Sequence, residues 1–111
     1  MPELRLKAGI WVAAYLARLQ ALAIPAFVVR KGDETAGAVL VKVATLDGSA
    51  KAFQRSFDPM TGQRTWMVLA EGEEREVDEA VQRQRRFDPD LWVIEVEDRA
   101  GRHLLGEEGL E

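Results

Sequence analysis

The 111-residue chain has no cysteine and a single histidine. Without thiols there is no disulfide framework, no thiolate metal centre and no cysteine nucleophile. One imidazole, His103, argues against a zinc site and reads as a surface or strand-end residue. A Ser–His–acid arrangement would have to use Ser49 or Ser56, and neither stands in a nucleophile-elbow pattern. A basic excess is missing too. The 15 Lys and Arg against 19 Asp and Glu leave a net charge of −4, which weighs against general nucleic-acid binding. There is no long apolar run. The longest near the start, Ile10 to Leu16, falls far short of a membrane span. MPELRLKAG lacks the apolar core and cleavage site of a signal peptide. These absences predict a soluble cytoplasmic protein with no membrane partner and no cofactor.

What is present is an ordinary globular composition, 47% apolar and 31% charged. The length fits one domain spanning 1–111, able to bury roughly 60 to 70% of its unfolded surface. Residues 1–6 read as an irregular arm and 106–111 as a disordered tail. Lys7 to Ala23 has helical spacing: Trp11, Tyr15, Arg18 and Leu22 fall on one stripe, with Val12, Leu16 and Leu19 beside it. Pro25 stops that helix.

Ala26 to Lys31 and Ala38 to Leu46 are predicted strands, read as a hairpin closed by Gly32 and Gly37. Asp47-Gly48 is the strongest turn signal, read as a two-residue hairpin needing positive φ. It sets Leu46 opposite Ser49, Lys42 opposite Phe53 and Leu40 opposite Arg55. Strand three runs Ser49 to Phe57 and strand four Arg64 to Ala70, with Phe57 opposite Arg64 and Arg55 opposite Trp66. Glu73 to Arg86 is a second helix with Val77, Ala80, Val81, Gln84 and Phe87 along one stripe. Acids lead it and Arg83, Arg85 and Arg86 end it, the order the helix dipole favours. Leu91 to Asp98 is a strand apolar on both faces at its start, which suggests a central position. Arg102 to Leu105 is a candidate short returning strand. The expected fold is α+β: an N-terminal helix, a four-stranded antiparallel meander, a second helix and a C-terminal strand joining the sheet beside strand one.

Alternation along these strands gives one face of Ala26, Val28, Val39, Val41, Val43, Ala50, Ala52, Met67 and Leu69, a floor for the Ala-rich first helix. The other face mixes aromatic and basic residues: Phe27, Val29, Leu40, Lys42, Lys51, Phe53, Arg55, Phe57, Arg64, Trp66 and Val68. Such a face is too apolar for bare surface. Three readings compete for it. The second helix or the C-terminal segment covers it, with Lys and Arg stems lying over the aromatics. It is a symmetric dimer interface. Or it is a nucleic-acid or nucleotide platform, binding through Lys42, Lys51, Phe53, Arg55, Arg64 and Trp66. Trp66 is expected to stack with Arg55 as a cation–π pair.

Other chemistry is sparse. Glu95 and Glu97 share a strand face with Asp90 near its start, weak candidates for magnesium ligands or for a carboxylate-dependent enzyme. Pairing with Arg99 or Arg102 at the strand's exit is the blander reading. Gly32 to Gly37 has the two-glycine spacing of a phosphate loop but lacks the following Lys-Ser/Thr and carries Asp33 and Glu34. The function expected from the residues is a non-enzymatic interaction or accessory module that self-associates as a homodimer through the aromatic-basic face. Nucleic-acid or nucleotide binding on that face is the alternative.

LKAGIWVAAYLARLQALAIPAFVVRKGDETAGAVLVKV and FDPDLWVIEVEDRAGRHLL also resemble a bacterial family of short proteins catalogued as domain of unknown function 1491. The cues are Trp11 and Tyr15, Arg30-Lys31-Gly32-Asp33, Gly37 with Val39-Leu40-Val41-Lys42, and Phe87-Asp88-Pro89-Asp90-Leu91-Trp92. The resemblance spans about Leu4 to Leu105. It implies a small bacterial cytoplasmic protein and supplies no activity, ligand or catalytic residue.

Overall fold

The computed structural model describes residues 6–57 and 59–110, so residues 1–5 of the expected 1–6 arm lie outside it. Helix α1 (Ala8–Ala21) is followed by strands β1 (Ala26–Arg30), β2 (Val39–Ala44), β3 (Ser49–Phe57) and β4 (Arg64–Glu73), helix α2 (Glu74–Phe87) and strand β5 (Trp92–Glu97). The α+β class holds, but the sheet is mixed rather than an antiparallel meander. Its order is β1-β5-β2-β3-β4, with β5 antiparallel to β1 and parallel to β2.

The predicted β1–β2 hairpin therefore does not form. β5 does lie beside β1, but it also separates β1 from β2. Trp92, Val93, Ile94 and Val96 are buried, and a strand apolar on both faces needs neighbours on both edges and cover on both sides. The 32–37 loop opens to admit it. Asp33 N–H donates to Asp90 O at 3.0 Å, Trp92 N–H to Ala38 O at 2.9 Å, and the Trp92 indole to Asp33 O at 2.8 Å. A side chain at Gly32 or Gly37 would collide with the Asp90 carbonyl, so these glycines permit close passage of β5 rather than a tight turn.

The β2–β3 register is shifted by one residue from the expected one. Lys42 stands opposite Ala52, and Val41 opposite Phe53. Thr45 N–H donates to Ser49 O, leaving Leu46-Asp47-Gly48 as a three-residue loop. Leu46 (φ 63°) and Gly48 (φ 92°) take the left-handed conformation and Asp47 does not. The Asp47 carboxylate instead accepts from Thr45 Oγ1 (2.6 Å) and Ser49 N–H (3.0 Å), and those bonds stabilise the longer loop over a two-residue turn. Because side chains alternate, a one-residue slip moves all of β3 to the opposite face. The β3–β4 pairing is as expected from Phe57–Arg64 through Arg55–Trp66 to Phe53–Val68; a bulge then follows before Ala52–Ala70.

A helix covers each face. α1 lays Trp11, Val12, Tyr15 and Leu19 on Val39, Val41, Val43, Phe53, Trp92, Ile94 and Val96. It ends where Ala23 turns left-handed (φ 58°) and Ile24 N–H bonds back to Leu19 O, just before Pro25. α2 lays Val77 and Val81 on Leu40, Ala50, Ala52 and Val93. Ala50 and Ala52 thus lie under α2 rather than α1, and Met67 is exposed, as the slipped register requires. Phe87, expected on the buried stripe of α2, is 85% exposed. Arg102 to Leu105 forms no strand. Residues 106–110, expected to be disordered, pack on the body. Leu110 is 1% exposed, its carbonyl accepts from the Trp66 indole at 3.1 Å, and Arg18 donates to Glu108 O at 2.7 Å.

Candidate functional site

The proposed aromatic-basic group is split by the shifted register. Lys51, Phe53, Arg55 and Trp66 share a face, but it is the α1 face, and α1 with the C-terminal segment covers it. Phe53 is 9% exposed and its ring lies 4.6 Å from that of His103. The Arg55 guanidinium stands 4.8 Å from the Trp66 ring, the pair expected from sequence, and 5.0 Å from Trp11. Trp11 in turn meets Trp66 at 5.5 Å and Tyr15 at 4.9 Å. Lys51 reaches Glu71 at 3.3 Å. Arg64 is half-buried at the start of β4, opposite Phe57. This face is a core layer with cations over its rings. Among the described residues it presents no open sheet surface for a partner copy, and what remains accessible of Phe53 faces a cleft beside Ala100 and His103.

Lys42 projects from the opposite face, 5% exposed, into a cluster that sequence reading missed. Its ammonium lies 2.7 Å from Glu74 Oε2, 2.7 Å from Asp78 Oδ1 and 3.2 Å from Glu95 Oε1. Glu74 and Asp78 are one turn apart on α2, and the parallel register sets Glu95 beside Lys42. Burial alone would lower the pKa of the ammonium. The hydrogen bonds to Asp78 and Glu74 and the charge of Glu95 outweigh it and hold the pKa above the ordinary lysine value. A lysine nucleophile or base needs the opposite shift. Lys42 is a clamp that ties α2 to the sheet. The signal for it in the sequence was a lone lysine inside the apolar run VLVKVA.

The cluster also absorbs Glu95, one of the three weak metal candidates. Glu97 is half-buried further along β5, and Asp90 is exposed in the turn before it, its N–H bonded to Asp88. Among the described residues no group of three or more His, Cys, Asp or Glu side chains is arranged to hold a metal ion.

Beyond this clamp the α2 side of the sheet is open. α2 packs chiefly on β3 and β4 and reaches β5 at Val93, so the strip along β1 and the Glu95–Glu97 end of β5 stays uncovered. Phe27, paired with Glu95 and so on the same side, is 44% exposed, and Val29 is 53% exposed. Glu74, Asp78, Val81 and Arg85 follow helical spacing down the α2 flank bordering the strip. Its charge reverses along its length. Glu74, Asp78, Glu95 and Glu97 crowd one end, while Arg85 and Arg30 stand at the other. Among the described residues, neither Arg30 nor Glu97 has an ion pair, and Arg85 Nε lies out of solvent without a hydrogen-bond partner.

Comparison with known proteins identifies one family. The model of the family described as "Protein of unknown function (DUF1491)" matches residues 6–106. The chain is similar to a DUF1491 family protein from Caulobacter crescentus CB15 whose crystal structure is known. The two are 42% identical, with 94% of this chain and 96% of that one covered and a TM-score of 0.82. An NMR structure of a DUF1491 protein from the same organism aligns at 43% identity, 95% and 96% coverage and the same TM-score of 0.82. The solution structure of protein Atu0922 from A. tumefaciens aligns at 33% identity, covering 85% and 86% of the two chains, with a TM-score of 0.71. No curated protein matches. Among the described residues no helix is long and apolar enough to cross a membrane.

Proposed function

Because the chain belongs to the DUF1491 family, whose description carries no activity, we propose from its geometry that it is a non-enzymatic interaction module that self-associates through the open strip beside α2. One observation carries this reading: the strip is its own electrostatic complement. A second copy placed antiparallel across it brings the Arg85 and Arg30 end of each protomer to the Glu95 and Glu97 end of the other. Two-fold association requires such self-complementarity. Phe27 and Val29 supply the apolar area, and the Arg85 guanidinium gains a carboxylate partner. This moves the expected homodimer interface from the aromatic-basic face to the other side of the sheet. A bacterial cytoplasmic setting fits the cysteine-free sequence and the bacterial sources of the relatives.

Light scattering across a concentration series tests the reading. The mass is expected to rise from 12.4 kDa toward twice that value, and to fall back as salt screens the charge pairs. A monomer mass at every concentration rejects it.

A further inference from the structure

We propose that a cleft on the α1 side of the sheet, between the Ala100–His103 turn and the β3–β4 ribbon, binds a small anionic molecule with an apolar or aromatic body. The cleft encloses about 430 Å³, within the range of small-molecule sites. Val43 and Phe53 form its apolar lining, and Lys51, Glu71 and His103 its polar walls. Nothing in the self-association reading uses it, and it lies on the other face from the α2 strip.

The polar wall is held in place. The His103 carbonyl accepts from the fully buried Tyr15 hydroxyl at 2.8 Å. Its Nδ1 accepts from Leu105 N–H at 3.0 Å. The proton of the neutral ring is therefore on Nε2, which is left as a free donor. The preceding turn is clamped by Asp98, which accepts from Arg102 N–H at 2.7 Å and from the Arg102 guanidinium at 2.9 Å. Across the cleft, the Lys51 ammonium sits 5.9 Å from the Phe53 ring centroid and 3.3 Å from Glu71. A ligand carboxylate or phosphate exchanges with Glu71 for Lys51 and accepts from His103 Nε2, while its apolar body lies on Phe53 and Val43. Burial, and then the charge of Lys51, lower the His103 pKa against the opposing Glu107. A bound anion reverses part of that shift.

His103 is the only imidazole in the chain and so a clean NMR probe. Titration of the intact protein with benzoate is expected to shift the His103, Phe53 and Lys51 resonances together and saturably, and to raise the His103 pKa. Lys51→Met, at a partly exposed position whose fold an amide spectrum checks, is expected to weaken benzoate at least tenfold. Benzyl alcohol and benzylamine, which keep the ring and lose the negative charge, are expected to bind at least tenfold more weakly than benzoate. Absence of saturable shifts with benzoate overturns the proposal. So does benzoate binding unchanged in Lys51→Met, or tighter binding of benzylamine.

Discussion

Lys42 and Phe53 stand on opposite faces of the sheet. Phe53 lies opposite Val41 and points toward α1, while Lys42 lies opposite Ala52 and points toward α2. Removing the cation from its three carboxylates leaves like charges crowded beside the sheet. Lys42→Met is expected to cost about 2–3 kcal/mol, less than the roughly 3–5 kcal/mol for breaking a fully buried pair because Glu74 and Asp78 are partly solvated. Urea unfolding measures it. A loss below about 0.5 kcal/mol would show that Lys42 does not hold α2.

The same relationship depends on the three-residue loop. Leu46 is exposed and held at φ 63°, a conformation a branched side chain adopts at a cost. Leu46→Gly is expected to raise stability by about 0.5 kcal/mol. Under a two-residue turn Leu46 would be a strand residue, and the substitution would destabilise. The sign of the change in thermal midpoint separates the two.

Much of the fold is legible in the order of residues. The stripe of α1, the acid-to-base order of α2, the central character of the Trp92–Val96 run and the Arg55–Trp66 pair all rest on local spacing or composition. What is not legible depends on choices made far away or by one dihedral. Gly32 and Gly37 look like a local turn because nothing between them records that β5 passes against them. Asp47-Gly48 marks a turn, but its length is set by Leu46 accepting positive φ and by the bonds Asp47 makes. That single residue decides which face β3 presents. The Lys42 clamp joins residues separated by more than thirty positions along the chain.

The C-terminal segment is part of the packed body. Leu110→Ala is expected to cost about 2–3 kcal/mol, as for other buried leucines. It should also loosen the tail bonded to Trp66 and Arg18, detectable as faster amide exchange over 106–110. No change in either would place the tail in solvent.

Stability is expected to respond to pH through His103. Burial and Lys51 lower its folded pKa below the ordinary 6.5. As pH falls below about 6.5 the unfolded chain takes up a proton that the folded chain resists, so the unfolded state binds more protons and stability drops. His103→Gln removes this component, and its stability should fall less than that of the parent between about pH 6.5 and 5.5. Equal slopes in the two proteins would contradict it.

The central claim is that two copies meet with the charged ends of their α2 strips exchanged. Sedimentation equilibrium on four proteins tests it most directly: the parent, Glu97→Arg, Arg85→Glu and the double variant. The parent is expected to dimerise, each single reversal to weaken the dimer at least tenfold, and the double reversal to recover most of that loss. Four identical dissociation constants, or a double variant no tighter than either single one, would contradict it.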